Sequence, residues 1–150
     1  MEQITVNPKL FFYLEGKTTL KNIMEFAAPN VDLAYAEAER LGLEKTGPIE
    51  FIYFGATSDQ EKEFTLQIGF PVKDEKNAEY GFQFRQSTNF KCITNRYKGS
   101  LTNIGAEYEK MFEHLWNNSL KPSNEIREIY HFFEFPDSPN NVTEIQIGLN

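Results

Sequence analysis

Ile126-Arg127-Glu128-Ile129-Tyr130-His131 decides the fold once it is laid beside Ile49-Glu50-Phe51-Ile52-Tyr53-Phe54, at an offset of 77 (126 against 49). Both segments are rich in β-branched and aromatic residues and read as strands. The strands that follow also match: Thr65-Leu66-Gln67-Ile68-Gly69-Phe70 meets Glu144-Ile145-Gln146-Ile147-Gly148-Leu149 at an offset of 79 (144 against 65), so the second hairpin is two residues longer. Working backwards, Tyr35 meets Phe112 at 77 and Gly16 meets Gly99 at 83. The chain therefore reads as a duplicated β-α-β-β unit, with halves at about 3–72 and 80–149.

Helical periodicity fills the space between the strands. Leu101, Ile104, Tyr108, Met111, Phe112 and Leu115 form the clearest apolar stripe. In the first half Leu20, Ile23, Met24 and Ala27 begin a helical pattern that Pro29 is expected to interrupt. Asn30 then caps a second segment striped by Val31, Ala34, Tyr35, Ala38 and Leu41, and Gly42 ends it. Residues 3–6 and 9–15 read as extended and bent at Pro8, and Lys73–Glu79 as a surface connector. The fold class is α+β: two units pairing into one pseudo-twofold antiparallel sheet, with helices on one face and a central cleft. The strand at 126–135 is apolar on both faces, so both need cover or one opens into that cleft.

Composition narrows the function. One domain's worth of chain, 150 residues, carries a formal charge of −7, with 22 acidic against 15 basic residues. That field argues against direct nucleic-acid binding. A lone Cys92 excludes an internal disulfide and fits a reducing compartment. No leader pattern and no run of about 18 apolar residues is present, so no membrane contact is expected and the expected location is cytoplasmic. Asn117-Asn118-Ser119 and Asn141-Val142-Thr143 match the glycosylation pattern by chance. His114 and His131 lack a second histidine at ligand spacing, and Gly16-Lys17-Thr18 lacks the leading glycine of a phosphate loop, so neither a metal nor a cofactor is expected.

Where the halves differ, candidate site residues appear. Phe51 is replaced by Glu128 and Thr65 by Glu144, while Tyr53 and Tyr130 are shared. On an extended strand Glu128 and Tyr130 share a face. A glutamate among aromatics is either solvated at a rim, paired to Arg127 or Arg96, neutralised by a raised pKa, or waiting for a cation. Phe51, Tyr53, Tyr97, Tyr108 and Trp116 are the aromatic residues placed to line a ligand site with Glu128, Tyr130 and, as a weaker second acid, Glu144.

Arg96-Tyr97-Lys98-Gly99 before a helix, Tyr108 along it, Arg127-Glu128-Ile129-Tyr130 and the terminal Thr143-Glu144-Ile145-Gln146-Ile147 together resemble the GyrI-like, or AraC-type, effector-binding domains of bacteria. The resemblance covers essentially the whole chain and is most specific over 96–149. It implies a pseudo-symmetric domain with a central pocket for a lipophilic, often cationic, small molecule, in which Glu128 is the buried acid that meets the cation. The implied role is multidrug-type sensing or sequestration, linked to transcription regulation through a regulatory protein partner. Two alternatives follow from other relatives. One is a hydrolase of cyclopropane-type electrophiles, with Glu128 as general base and Tyr130 or Tyr97 at the oxyanion. The other is a gyrase-inhibitor-like protein-binding module. Ile147-Gly148 stands where relatives often have Ile-Pro, and Phe133-Glu134-Phe135-Pro136 extends the apolar run. The fused DNA-binding helix-turn-helix of many relatives has no place here, since the repeat occupies about 9–149, and a stand-alone form is expected.

Overall fold

Pro8 and the Ser87-Thr88-Asn89 stretch are short interruptions in long extended runs, and they determine how the sheet is built. The computed structural model describes residues 1–150. In chain order the elements are β1 (Glu2–Val6), β2 (Leu10–Thr18), α1 (Ile23–Leu41), β3 (Glu50–Phe54), β4 (Phe64–Pro71), β5 (Gln83–Gln86) and β6 (Phe90–Lys98). A single 3-10 turn (Leu101–Asn103) leads into α2 (Ile104–Asn117), followed by β7 (Pro122–Phe132) and β8 (Val142–Leu149). The order strand, strand, helix, strand, strand thus occurs twice, with a break in each leading strand.

All eight strands pair antiparallel in the order β1-β6-β8-β7-β3-β4-β2-β5. In a flat sheet β1 and β2 would lie six strand spacings apart, about 29 Å. Only Asn7, Pro8 and Lys9 join them, a span of at most about 15 Å. The sheet must therefore curl until its edges meet. The β1–β6 register ends at Val6 opposite Phe90 and the β2–β5 register begins at Leu10 opposite Gln86. Between them the Lys9 amide donates to Ser87 Oγ at 2.9 Å, and the Ser87 amide donates to Lys9 O at 2.9 Å. The two long strands form one ribbon that closes the sheet into a barrel.

Closure answers the requirement that strands apolar on both faces be covered on both. Outside the barrel, α1 lies over β2 and β4, and α2 packs against β6. Phe12, Ala34, Ala38 and Phe70 form one contact of helix on sheet, and Ile93, Met111, Leu115, Ile145 and Ile147 the other. Inside the barrel Phe11, Tyr13 and Ile52 form a third cluster with no helix over it. Arg127 is also enclosed there, its guanidinium 3.9 Å from the Phe90 ring centroid and its Nε donating to Glu125 at 2.7 Å.

One local expectation is corrected. Pro29 does not divide α1, which runs unbroken from Ile23 to Leu41. The proline ring removes one backbone donor and costs about 3 kcal/mol in an isolated helix interior. Here the Asn30 side chain donates to Phe26 O at 2.8 Å, and Ala27, Ala34 and Ala38 bury the flanking turns against the sheet. Gly42 ends the helix as expected, at a φ of 63° that an L side chain adopts only with strain, and Lys76 Nζ donates to the last carbonyls at Leu41 and Gly42. No helix is long and apolar enough to cross a membrane.

Candidate ligand site at Glu128

The barrel faces outward at Glu128. In the β3–β7 register Phe51 stands opposite Glu128, and in the β7–β8 register Glu128 stands opposite Ile145, which packs under α2. Glu128 therefore points to the helix side of the sheet. Of the five β3–β7 pairs, Phe51 and Glu128 alone are 77 positions apart (128 against 51). The axis of any twofold relation between the halves passes between these two side chains.

Three phenols converge on the carboxylate. Tyr53, from β3, donates to Oε1 at 2.8 Å, and Tyr130, two residues along β7, donates to the same oxygen at 2.5 Å. Tyr108, from α2, donates to Oε2 at 2.5 Å. Charge-assisted bonds of this kind contribute about 1.5–3 kcal/mol each, which offsets much of the cost of enclosing the acid. Glu128 is 6% exposed. Burial, then the neighbouring Glu128 charge, pushes the ionisation of all three phenols well above the usual tyrosine range, so they remain donors. Phe51 completes the wall, its ring edge-on to Tyr130 with centroids 4.9 Å apart.

The other buried glutamates behave differently. Glu37 is bound by the Arg40 guanidinium at 2.6 Å, and Glu50 by Lys9 Nζ at 2.5 Å. Glu128 takes part in none of the eight ion pairs of the molecule. Pairing to Arg127 or Arg96 is excluded on geometry, because both arginines face the opposite side of the sheet: Arg127 alternates with Glu128, and Arg96 stands opposite Glu144. The molecule thus encloses one carboxylate with hydrogen-bond donors and no cation.

The remaining aromatic candidates divide. Tyr97 faces the helix side in the row that runs through Thr143 to Tyr130, but its hydroxyl donates to Ser100 O at 2.7 Å and not to Glu128. A side chain at Gly99 would collide with that hydroxyl, at 2.8 Å from the Cβ position. Trp116 does not join the site. It is 85% exposed, on the flank of α2 turned away from the Ile104, Tyr108, Met111 and Leu115 contacts.

Glu144 lies on the other side of the sheet. It stands opposite Ile129 and Arg96, one residue out of phase with Ile145, and so faces the barrel's inner side. Burial pushes its ionisation up, but donation from Thr94 at 2.7 Å, from Gln146 at 2.8 Å, and the His131 ring 2.8 Å away hold it below the usual carboxylate range. It borders a recess of about 440 Å³ with Glu2, Ile4, Thr94 and Arg96. A second recess of about 420 Å³ lies beside the end of α1, at Tyr35 and Lys45. Glu128 borders neither, since its tyrosines close over it. No group of His, Cys, Asp and Glu side chains is arranged to hold a metal ion.

The comparisons with known proteins agree on one architecture. The chain matches the family model of the GyrI-like small molecule binding domain over residues 1–150. No curated protein matches it. Among solved structures, the C-terminal domain of EcmrR superposes with a TM-score of 0.80 at 18% identity, covering 99% of this chain and 96% of that one. Against EcmrR in its DNA complex the TM-score is 0.81, and the match covers 56% of that longer chain. SAV2435, solved bound to tetraphenylphosphonium, superposes at 0.71 with 12% identity, over 99% and 93% of the two chains. A hydrolase encoded by lin2189 from Listeria innocua superposes at 0.64 with 11% identity, over 99% and 91%.

Proposed function

Since this chain belongs to the GyrI-like small-molecule-binding domains, we propose that its ligand is a lipophilic cation and that Glu128 is the charge that recognises it. The observation that carries this reading is the contrast among the three buried glutamates. Two have a basic partner in the chain, and Glu128 has only phenols. Tyrosine hydroxyls keep an enclosed carboxylate satisfied without neutralising it, so its field remains available. A delocalised cation seated there would meet the carboxylate and the faces of Phe51, Tyr108 and Tyr130, each face adding about 0.5–2 kcal/mol. Glu128 is closed over by its three tyrosines, so they must shift for the ligand to enter. SAV2435, of the same fold, was solved with such a cation bound. Sensing or sequestration follows from binding alone, with a regulatory protein as the partner in the sensing case.

A hydrolase reading has weaker support. A general base needs an open lone pair aimed at water, and the three phenols leave this carboxylate only one of its about four lone-pair sites, on Oε2. Calorimetric titration with tetraphenylphosphonium and with neutral triphenylmethanol tests the proposal. Glu128→Gln should weaken the cation by about 30-fold or more and leave the neutral compound within a few-fold. Equal losses for both would show that charge recognition is not the role of Glu128.

A further inference from the structure

The β6–β8 and β7–β8 registers place Tyr97, Thr143 and Tyr130 side by side on the helix face, one row along from the Asn95, Ile145 and Glu128 row. Both flanking hydroxyls donate elsewhere, Tyr97 to Ser100 O and Tyr130 to Glu128. Between them Thr143 is fully buried, and its Oγ1 has no hydrogen-bond partner. A buried hydroxyl left unpaired is destabilising, and valine has the same shape without that penalty, so packing does not explain a threonine here. Position 143 is diagonal to Glu128 across the β7–β8 ladder, about 7–8 Å away between backbone positions.

We infer that Thr143 is a second recognition point of the Glu128 site, and that the ligand is a lipophilic cation whose frame carries a hydrogen-bond acceptor, such as a carbonyl or ether oxygen, displaced from its charge by about that spacing. The hydroxyl proton is the group lacking a partner, since an oxygen with two lone pairs tolerates an empty one better than a buried donor does. An acceptor on the ligand satisfies Thr143 only when the cation is seated at Glu128. Pairing charge with one distant polar contact separates such ligands from purely hydrocarbon cations, because the analogue without the acceptor leaves the threonine unpaired.

This inference rests on the cation reading of Glu128, and two matched probes separate the two. Para-acetylphenyl-triphenylphosphonium places a carbonyl one benzene ring beyond the charge, and para-isopropylphenyl-triphenylphosphonium has the same shape without an acceptor. The wild-type chain should bind the acetyl compound about tenfold more tightly. Thr143→Val should bring the ratio of the two affinities to about one, and Thr143→Ser, which keeps the hydroxyl, should retain it. Binding of both cations that depends on Glu128, with no acetyl preference or with a preference that survives in Thr143→Val, overturns the Thr143 inference and leaves the Glu128 reading standing. Loss of Glu128 dependence removes both.

Discussion

Two matched strand pairs face the helices in this molecule, and they differ in one consequential way. In the first half Phe51 and Tyr53 lie under α1, which offers Val31 at the position where α2, at the offset of 77, offers Tyr108. In the second half Glu128 replaces the phenylalanine and Tyr108 the valine, so the acid and one of its donors occur together. Tyr53 and Tyr130, matched by the same offset, both bind the one oxygen Oε1. The charge thus sits on β7 alone, while its donors come from β3, β7 and α2. A carboxylate near the axis is reached from either side; one further out would have only its own half's tyrosine.

Mutating Glu128 and Phe51 separately should expose the largest difference between them. Glu128→Gln should weaken tetraphenylphosphonium by about 30-fold or more, whereas Phe51→Leu should cost only a few-fold, as loss of one aromatic wall. Calorimetry of both variants checks the asymmetry; similar losses would mean that the two halves contribute alike. Exchanging the pair, Phe51→Glu with Glu128→Phe, moves the acid across the axis, where Tyr53 and Tyr130 still reach it but Tyr108 does not. About tenfold of the lost affinity should return relative to Glu128→Gln. No recovery would show that the α2 side is indispensable.

A smaller effect distinguishes the donors. Tyr108→Phe removes the partner of Oε2 and should lower the melting temperature by about 3–12 °C, while raising cation affinity several-fold, because the ligand then displaces one donor fewer. Calorimetric melting and titration on the same sample read both; a fall in affinity would mean that the phenol contacts the ligand rather than competing with it. The smallest effect is alkaline. Unfolded tyrosines ionise near pH 10, and burial beside Glu128 holds the native Tyr53, Tyr108 and Tyr130 well above that. Their contribution is fully present below about pH 10 and is lost as pH rises beyond it, because the unfolded state then binds fewer protons. Denaturant melts from pH 8 to pH 11 should show that decline, reduced in Tyr130→Phe.

The same contrast explains what the sequence could and could not reveal. The α+β antiparallel sheet was legible because hydrophobic alternation marks its strands, and Glu128 stood out against the Ile-x-x-Ile-Tyr spacing shared by 49–53 and 126–130. Gly42 and the α2 stripe were legible for local reasons, backbone handedness and helical period. The side of the sheet was not. Glu128 and Glu144 both break the match, yet they face opposite sides, because parity between two strands depends on a register set by the loop that joins them. Trp116 follows Phe112 by one helical turn, and both lie on the flank of α2 that faces solvent, Phe112 38% and Trp116 85% exposed. Closure was hidden in the brevity of two linkers, Asn7–Lys9 and Ser87–Asn89, whose meaning depends on which strands they join. Arg127 had a local sign, an acid two residues before it on the same face, but its enclosure depends on that closure. Thr143 had no local sign at all, since an unpaired hydroxyl is a property of its neighbours' commitments.

Locating the charge of a bound ligand tests most directly whether Glu128 recognises it. A crystal of the chain grown with para-bromophenyl-triphenylphosphonium gives the cation's position from the bromine anomalous signal and the phosphorus density. Phosphorus is expected on the helix side of β3 and β7, facing the Glu128 carboxylate within about 6 Å of the surrounding aromatic ring centroids. Phosphorus at the Glu144 recess, or beside α1 at Tyr35 and Lys45, would contradict it.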